Sequence, residues 1–160
     1  MQLIRCSVLA CLAIIGATFP AQAAFHVIYQ VLGMYDSGHG ANAGIATSIH
    51  CTNTGTTATI VRVRVRTPDG ATSGTVKQHL IAPQGTFTWS THATAMFSDL
   101  NVDSGLATGM LQQGSAQILV DTSDAIVCAA DLLDAANTTP NFVAARRMVR
   151  FPRNTSGGED

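Results

Sequence analysis

The stretch Thr59-Ile60-Val61-Arg62-Val63-Arg64-Val65-Arg66-Thr67 constrains this chain more than any other. In an extended strand successive side chains point to opposite faces, so Val61, Val63 and Val65 share one side while Arg62, Arg64 and Arg66 share the other. Such a segment has one dry and one wet face, and it needs a second layer over its valines. Shorter runs of the same kind occur at residues 25–32, 45–52, 75–81, 86–90, 115–121, 125–133 and 141–151. Turn-forming pieces separate them, among them Asp36-Ser37-Gly38-His39-Gly40, Asn53-Thr54-Gly55 and Pro68-Asp69-Gly70. In the last, Pro presets the first corner and Gly tolerates the positive φ that follows. Thr and Val recur throughout, whereas the helix formers Glu and Lys occur only at Glu159 and Lys77. The expected fold is all-β: a single antiparallel β-sandwich of about seven or eight strands. Two Ala-rich pieces, residues 93–100 and 129–136, are the expected helical exceptions.

A chain of 160 residues with 46% hydrophobic and 12% charged residues suits one folded domain rather than a disordered chain. Nine Lys+Arg against ten Asp+Glu give a net charge of −1, so there is no overall basic field for nucleic acid. Residues 1–23 read as a secretory signal peptide: Arg5, then an apolar run from Val8 to Ala17 too short to span a bilayer, then Ala21-Gln22-Ala23 in the A-x-A pattern of a cleavage site. Val8-Leu9-Ala10-Cys11 also resembles a lipoprotein cleavage site, though one close to Arg5. Export to the periplasm or beyond is the expectation, with a domain at 24–153, a disordered tail at 154–160 and no transmembrane segment after cleavage. The short leader and small domain suggest a bacterial source.

Removal of the leader would leave Cys51 and Cys128, and two thiols in an oxidising compartment are expected to pair. On the strand scheme that bridge would run between sheets or between adjacent strands. The expected architecture is immunoglobulin-like only in general outline. An antibody domain has a core Trp soon after its first Cys and a Tyr two residues before the second; this chain has Trp89 far downstream of Cys51, and Ile126 in the Tyr position. The segments Gly114-Ser115-Ala116-Gln117-Ile118-Leu119-Val120 and Ala125-Ile126-Val127-Cys128-Ala129-Ala130 resemble small exported bacterial β-sandwich proteins, which share no single activity.

Catalytic motifs are weak. There is no G-x-S-x-G elbow, no H-E-x-x-H and no phosphate loop. Ser37 with His39 makes a poor nucleophile pair, and Asp121, Asp124, Asp131 and Asp134 gather near strand ends without a pattern of their own. For a metal, His50, His79 and His92 are candidates, His50 and His79 being expected to point outward where they could meet across strands. Asp99, Asn101 and Asp103 space oxygen atoms like the start of a calcium loop, but Gly105 and Met110 fall where that loop needs other residues. The candidate ligand-binding residues are Arg62, Arg64 and Arg66; Arg146, Arg147, Arg150 and Arg153 form a second basic stripe. Guanidinium forks suit carboxylate and phosphate, while a plain solvated face is the alternative. Phe87 and Trp89 share a face as a sugar-stacking platform or as core. The expected function is a non-enzymatic structural, adhesive or interaction module with a protein or glycan partner and no cofactor. The alternative is a metal- or small-ligand-binding exported protein or, less well supported, a small hydrolase.

Overall fold

The computed structural model describes residues 24–97, 105–121 and 125–151. These form nine strands: β1 (His26–Ser37), β2 (Ile45–Asn53), β3 (Thr59–Arg66), β4 (Thr72–Ile81), β5 (Thr86–Ser90), β6 (Met110–Val120), β7 (Ile126–Asp134), β8 (Val143–Ala145) and β9 (Met148–Arg150). They make two antiparallel sheets. Sheet A has the order β4-β3-β6-β1-β9 and sheet B the order β5-β2-β7-β8. No helix among the described residues is long and apolar enough to cross a membrane.

The valine–arginine alternation sets the layer arrangement. Val61, Val63 and Val65 are buried, joined from sheet A by Val31, Met34 and Ile118 and from sheet B by Ile49, Trp89 and Ile126. Burying each such side chain stabilises the fold by roughly 1.5–3 kcal/mol. Hydrogen bonds also cross between the layers. The Tyr29 hydroxyl donates to the Ile126 carbonyl, and the Thr47 hydroxyl donates to Tyr35 O while accepting from Tyr35 N.

Cys51 and Cys128 are bridged, and they stand directly opposite each other on β2 and β7 with their Cα atoms 4.1 Å apart. The disulfide therefore joins neighbours within sheet B. An antibody-type bridge instead ties the two sheets together.

Both sides of the sandwich are closed by chain that crosses between the sheets. On one side β8 pairs with β7 in sheet B, and after Arg146 and Arg147 the chain continues as β9 on β1 in sheet A. The expected single strand at 141–151 is thus two short strands in different sheets. On the other side Leu106 donates its N–H to Ser90 O at the end of β5 and accepts from Thr75 N in β4. Gly74 makes that approach possible: its φ is +69°, and a Cβ there would collide with the Leu106 carbonyl oxygen.

The helix expected at 129–136 is absent, because β7 occupies Ile126–Asp134. Its alanines have good helix propensity, but Cys128 is fixed opposite Cys51 and Ala130 fits opposite Ile49, so the sheet ladder overrides the local preference. Residues 93–97 make turns rather than a helix, the remainder of that expectation lying outside the described residues.

Candidate functional site

The histidines proposed as a metal site are dispersed over the molecule. His50 is on the outer face of sheet B, where Nδ1 lies 2.9 Å from the Thr88 hydroxyl and Nε2 lies 3.7 Å from an Asp131 carboxylate oxygen. Burial pushes its pKa down, only partly opposed by the Asp131 charge. His79 is opposite Val61, on the valine side of sheet A rather than the outer face expected, but on edge strand β4 it stays exposed and stacks on Phe87 with ring centroids 3.7 Å apart. His92 belongs to a third cluster. No group of three metal-ligating side chains forms among the described residues, and Asp99, Asn101 and Asp103 lie outside them, as does Arg153.

The His92 cluster ties the loops at one end of the sandwich. Asp36, at the end of β1, is 1% exposed. Its carboxylate accepts from Gly38 N at 2.7 Å, His92 Nδ1 at 2.8 Å and the Thr108 hydroxyl at 3.2 Å. Burial alone would raise its pKa, but hydrogen bonds from His92, Gly38 and Thr91 outweigh it and leave the value below the ordinary carboxylate range. His92 Nε2 is 2.9 Å from the Ala43 carbonyl oxygen. Both ring nitrogens thus face acceptor oxygens, one on Asp36 and one on the Ala43 backbone. Nearby, Ser37 and His39 do meet, at 2.9 Å, but the Ser37 hydroxyl also bonds the backbone of Ile45 and serves to close the β1–β2 loop.

Arg62, Arg64 and Arg66 are gathered on the outer face of sheet A. Register places them in rows running across the strands: Gln78–Arg62–Leu119–Val27, Arg64–Gln117–Gln30–Val149 and Arg66–Ser115–Leu32. No position in these rows is acidic. Asp121 follows the end of β6, and Asp69 sits in the β3–β4 turn, where hydrogen bonds from Thr67 and Ala71 hold its pKa below the usual range. Arg62 lies over the Phe25 ring, 3.8 Å from the centroid, and donates to the Gln78 side chain at 2.9 Å. Arg66 donates to the Gly70 carbonyl and the Thr72 hydroxyl. Arg62 and Arg66 are thus held by cation–π and hydrogen-bonded contacts rather than standing as a loose surface fringe.

The arginine rows run into a groove. Thr67, Pro68, Met110, Leu111, Gln112 and Gln113 line about 590 Å³ of it. A second lobe of about 380 Å³ shares Thr67, Pro68, Gln112 and Gln113 and continues over Gly33, Gly114 and Ser115. Sequence reasoning found the arginines but missed Phe25, Gln78, Gln117 and the glutamine-lined groove, whose residues come from separate strands and turns. Phe87 and Trp89 are buried in the core and form no exposed platform.

No family model and no curated protein matches the chain. Among solved structures, the crystal structure of Thermotoga maritima 1070 is similar at 13% identity, covering 76% of this chain and 94% of that one with a TM-score of 0.44.

Proposed function

We propose that the protein is an exported, non-catalytic β-sandwich module that binds an acidic partner through the outer face of sheet A. The observation that carries this reading is the alignment of Arg62, Arg64 and Arg66, all partly exposed, on the outer face of sheet A, with Arg62 and Arg66 held by contacts with Phe25, Gln78, Gly70 and Thr72. Side chains held in place before binding lose little entropy when a ligand arrives. Export is supported by the leader at residues 1–23 and by the disulfide, a bond that persists in oxidising compartments. N-terminal sequencing of the exported protein should begin at Ala24; retention of residues 1–23 would overturn the export half. Low-salt chromatography on an immobilised polyanion should retain the protein, and Arg62→Glu with Arg64→Glu should release it. Equal retention of that variant, with its thermal unfolding unchanged, would remove the arginine face.

A further inference from the structure

β4 is a long strand at the edge of sheet A, and we propose that it pairs with β4 of a second copy of this chain, antiparallel and with Gln78 on the two-fold axis. The two copies of sheet A then join into one continuous sheet. The dimer does not depend on the binding reading above, and either can fail without the other.

β4 has 10 residues, against 5 for β5 and 3 each for β8 and β9, the other strands at sheet edges. Its two halves are treated differently. Thr75 donates its N–H to Leu106 O at 2.7 Å and the Ser73 hydroxyl donates to Thr108 O, so the edge at 73–75 is already covered. At the far end the Asn53 side-chain amide donates to Ile81 O. Between them, Val76-Lys77-Gln78-His79-Leu80 lies along β3 on one side and, among the described residues, has no strand on the other. An edge in that state carries unpaired N–H and C=O groups and is a template for another strand.

The side chains decide which strand fits. Gln78 is opposite Arg62 and Leu80 opposite Ile60, so by alternation Val76, Gln78 and Leu80 share the outer face, and Lys77 and His79 share the inner one. Val76 is 39% and Leu80 58% exposed, which leaves two apolar side chains in water beside the open edge. In antiparallel pairing about a two-fold axis, opposed residues lie on the same face, so the axis passes through a residue. With Gln78 on the axis, Val76 of each copy is opposite Leu80 of the other, and the two Gln78 amides, which both donate and accept, face each other. An axis at Lys77 would oppose two ammonium groups and set Val76 against Gln78. An axis at His79 would set Leu80 against Gln78 and carry Val76 past the end of β4. Lys77, the kind of residue that guards an edge against indiscriminate pairing, thus selects the Gln78 register. Five residues a side make a small interface beside the roughly 800 Å² per partner of a stable complex, so the dimer should dissociate at about 10–100 µM.

Sedimentation velocity of the exported protein, run from about 5 µM to about 1 mM, should shift from monomer to dimer. Val76→Glu and Leu80→Lys should each weaken association about tenfold, and mixing the two variants should restore it, because the pairing sets the new carboxylate against the new ammonium. Gln78→Cys reads the register directly. On the axis its two Cα atoms are about 4.5–5.5 Å apart, within disulfide reach, so air oxidation should link the copies about tenfold faster than in Leu80→Cys, whose Cα atoms stand about 13 Å apart. Thermal unfolding of every variant should be unchanged, since all these positions are exposed, and that control keeps a misfolded variant from being read as a lost dimer. A protein that stays monomeric at the highest concentration overturns the proposal. So does a dimer that both charge variants leave intact, or one in which Leu80→Cys links as fast as Gln78→Cys.

Discussion

The outer faces of the two sheets are alike in strand geometry and opposite in chemistry. On sheet B the outward register pairs Ser48–Ser90, His50–Thr88 and Thr52–Thr86 are each joined by a side-chain hydrogen bond, and β7 adds Asp131, Ala129 and Val127 to that face. The chain after β5 folds back near this face, with the edge of the Phe97 ring against His50 at 4.8 Å, and Ser48, Thr88 and Ser90 are buried. On sheet A the outward face mixes arginine and glutamine with Leu119, Val27, Val149 and Leu32, and Arg62, Arg64 and Arg66 all retain partial exposure. Hydroxyls can be buried in mutually satisfied pairs at little cost, whereas guanidinium groups are kept near water unless something acidic covers them. Sheet B is thus covered by the protein's own chain only around Ser48, Thr88 and Ser90, while Val127 and Ala129 on the same face stay exposed.

The largest effect expected is on sheet B. Replacing Cys51 and Cys128 by Ala should lower stability by roughly 4 kcal/mol if the bridge acts mainly on the unfolded chain. Urea unfolding of the variant would measure this, and a loss below about 1 kcal/mol would show that the β2–β7 ladder needs no staple. Polyanion binding by sheet A should survive the change under conditions where the variant is folded, because no bridge atom lies on that face.

Next in size is the loop cluster between the faces. His92→Ala leaves the buried Asp36 carboxylate without the His92 hydrogen bond, which should cost about 1–3 kcal/mol. A loss under about 0.5 kcal/mol would mean the loops do not depend on this contact.

Acid should separate the cluster from sheet B. The folded His50 titrates below its ordinary value of 6.5, so at pH below 6.5 the unfolded chain takes up a proton that the folded chain resists. That contribution is complete above pH 6.5 and drains away as pH falls. The folded Asp36 titrates below 3.8, so its contribution is complete above 3.8 and is lost only as pH drops through the lower folded value. Stability should decline on acidification in two ranges, and His50→Gln should flatten the upper one alone. An unchanged slope between pH 6.5 and 5 in that variant would remove His50 as its source.

How legible these regions were in the sequence follows from the range of their contacts. Alternation is local, so Val61 to Arg66 disclosed both β3 and its arginine face, and 86–90 disclosed β5. Residues Met110 to Gly114 of β6 carry no alternating pattern and escaped notice; they are strand because β1 pairs with them as far as Ser37. The Cys51–Cys128 pairing was readable from export and cysteine number, yet its placement within one sheet needed the register. Asp36 was legible only as part of a turn and His92 only as a candidate metal ligand; their contact with each other gave no signal, because it joins two loops distant in sequence. The three histidines were not brought together because His50 and His79 lie in different sheets and His92 in a loop, and neither sheet membership nor the face of His79 was legible in the sequence.

The smallest stability effects provide the most direct test of the contrast between faces. Thr88→Val keeps the shape of a buried side chain on sheet B and removes the hydroxyl that meets His50 Nδ1, so it should cost about 1 kcal/mol. Arg64→Gln on sheet A exchanges one partly exposed polar side chain for another and should change stability by less than about 0.5 kcal/mol. Binding should respond in the reverse order: Thr88→Val should leave polyanion affinity intact, and Arg64→Gln should reduce it. Measuring both quantities for both variants makes the two faces independent witnesses. If Arg64→Gln were the more destabilising change and bound normally, the arginine row would be a structural element of sheet A, and the difference in chemistry between the faces would have nothing to do with recognition.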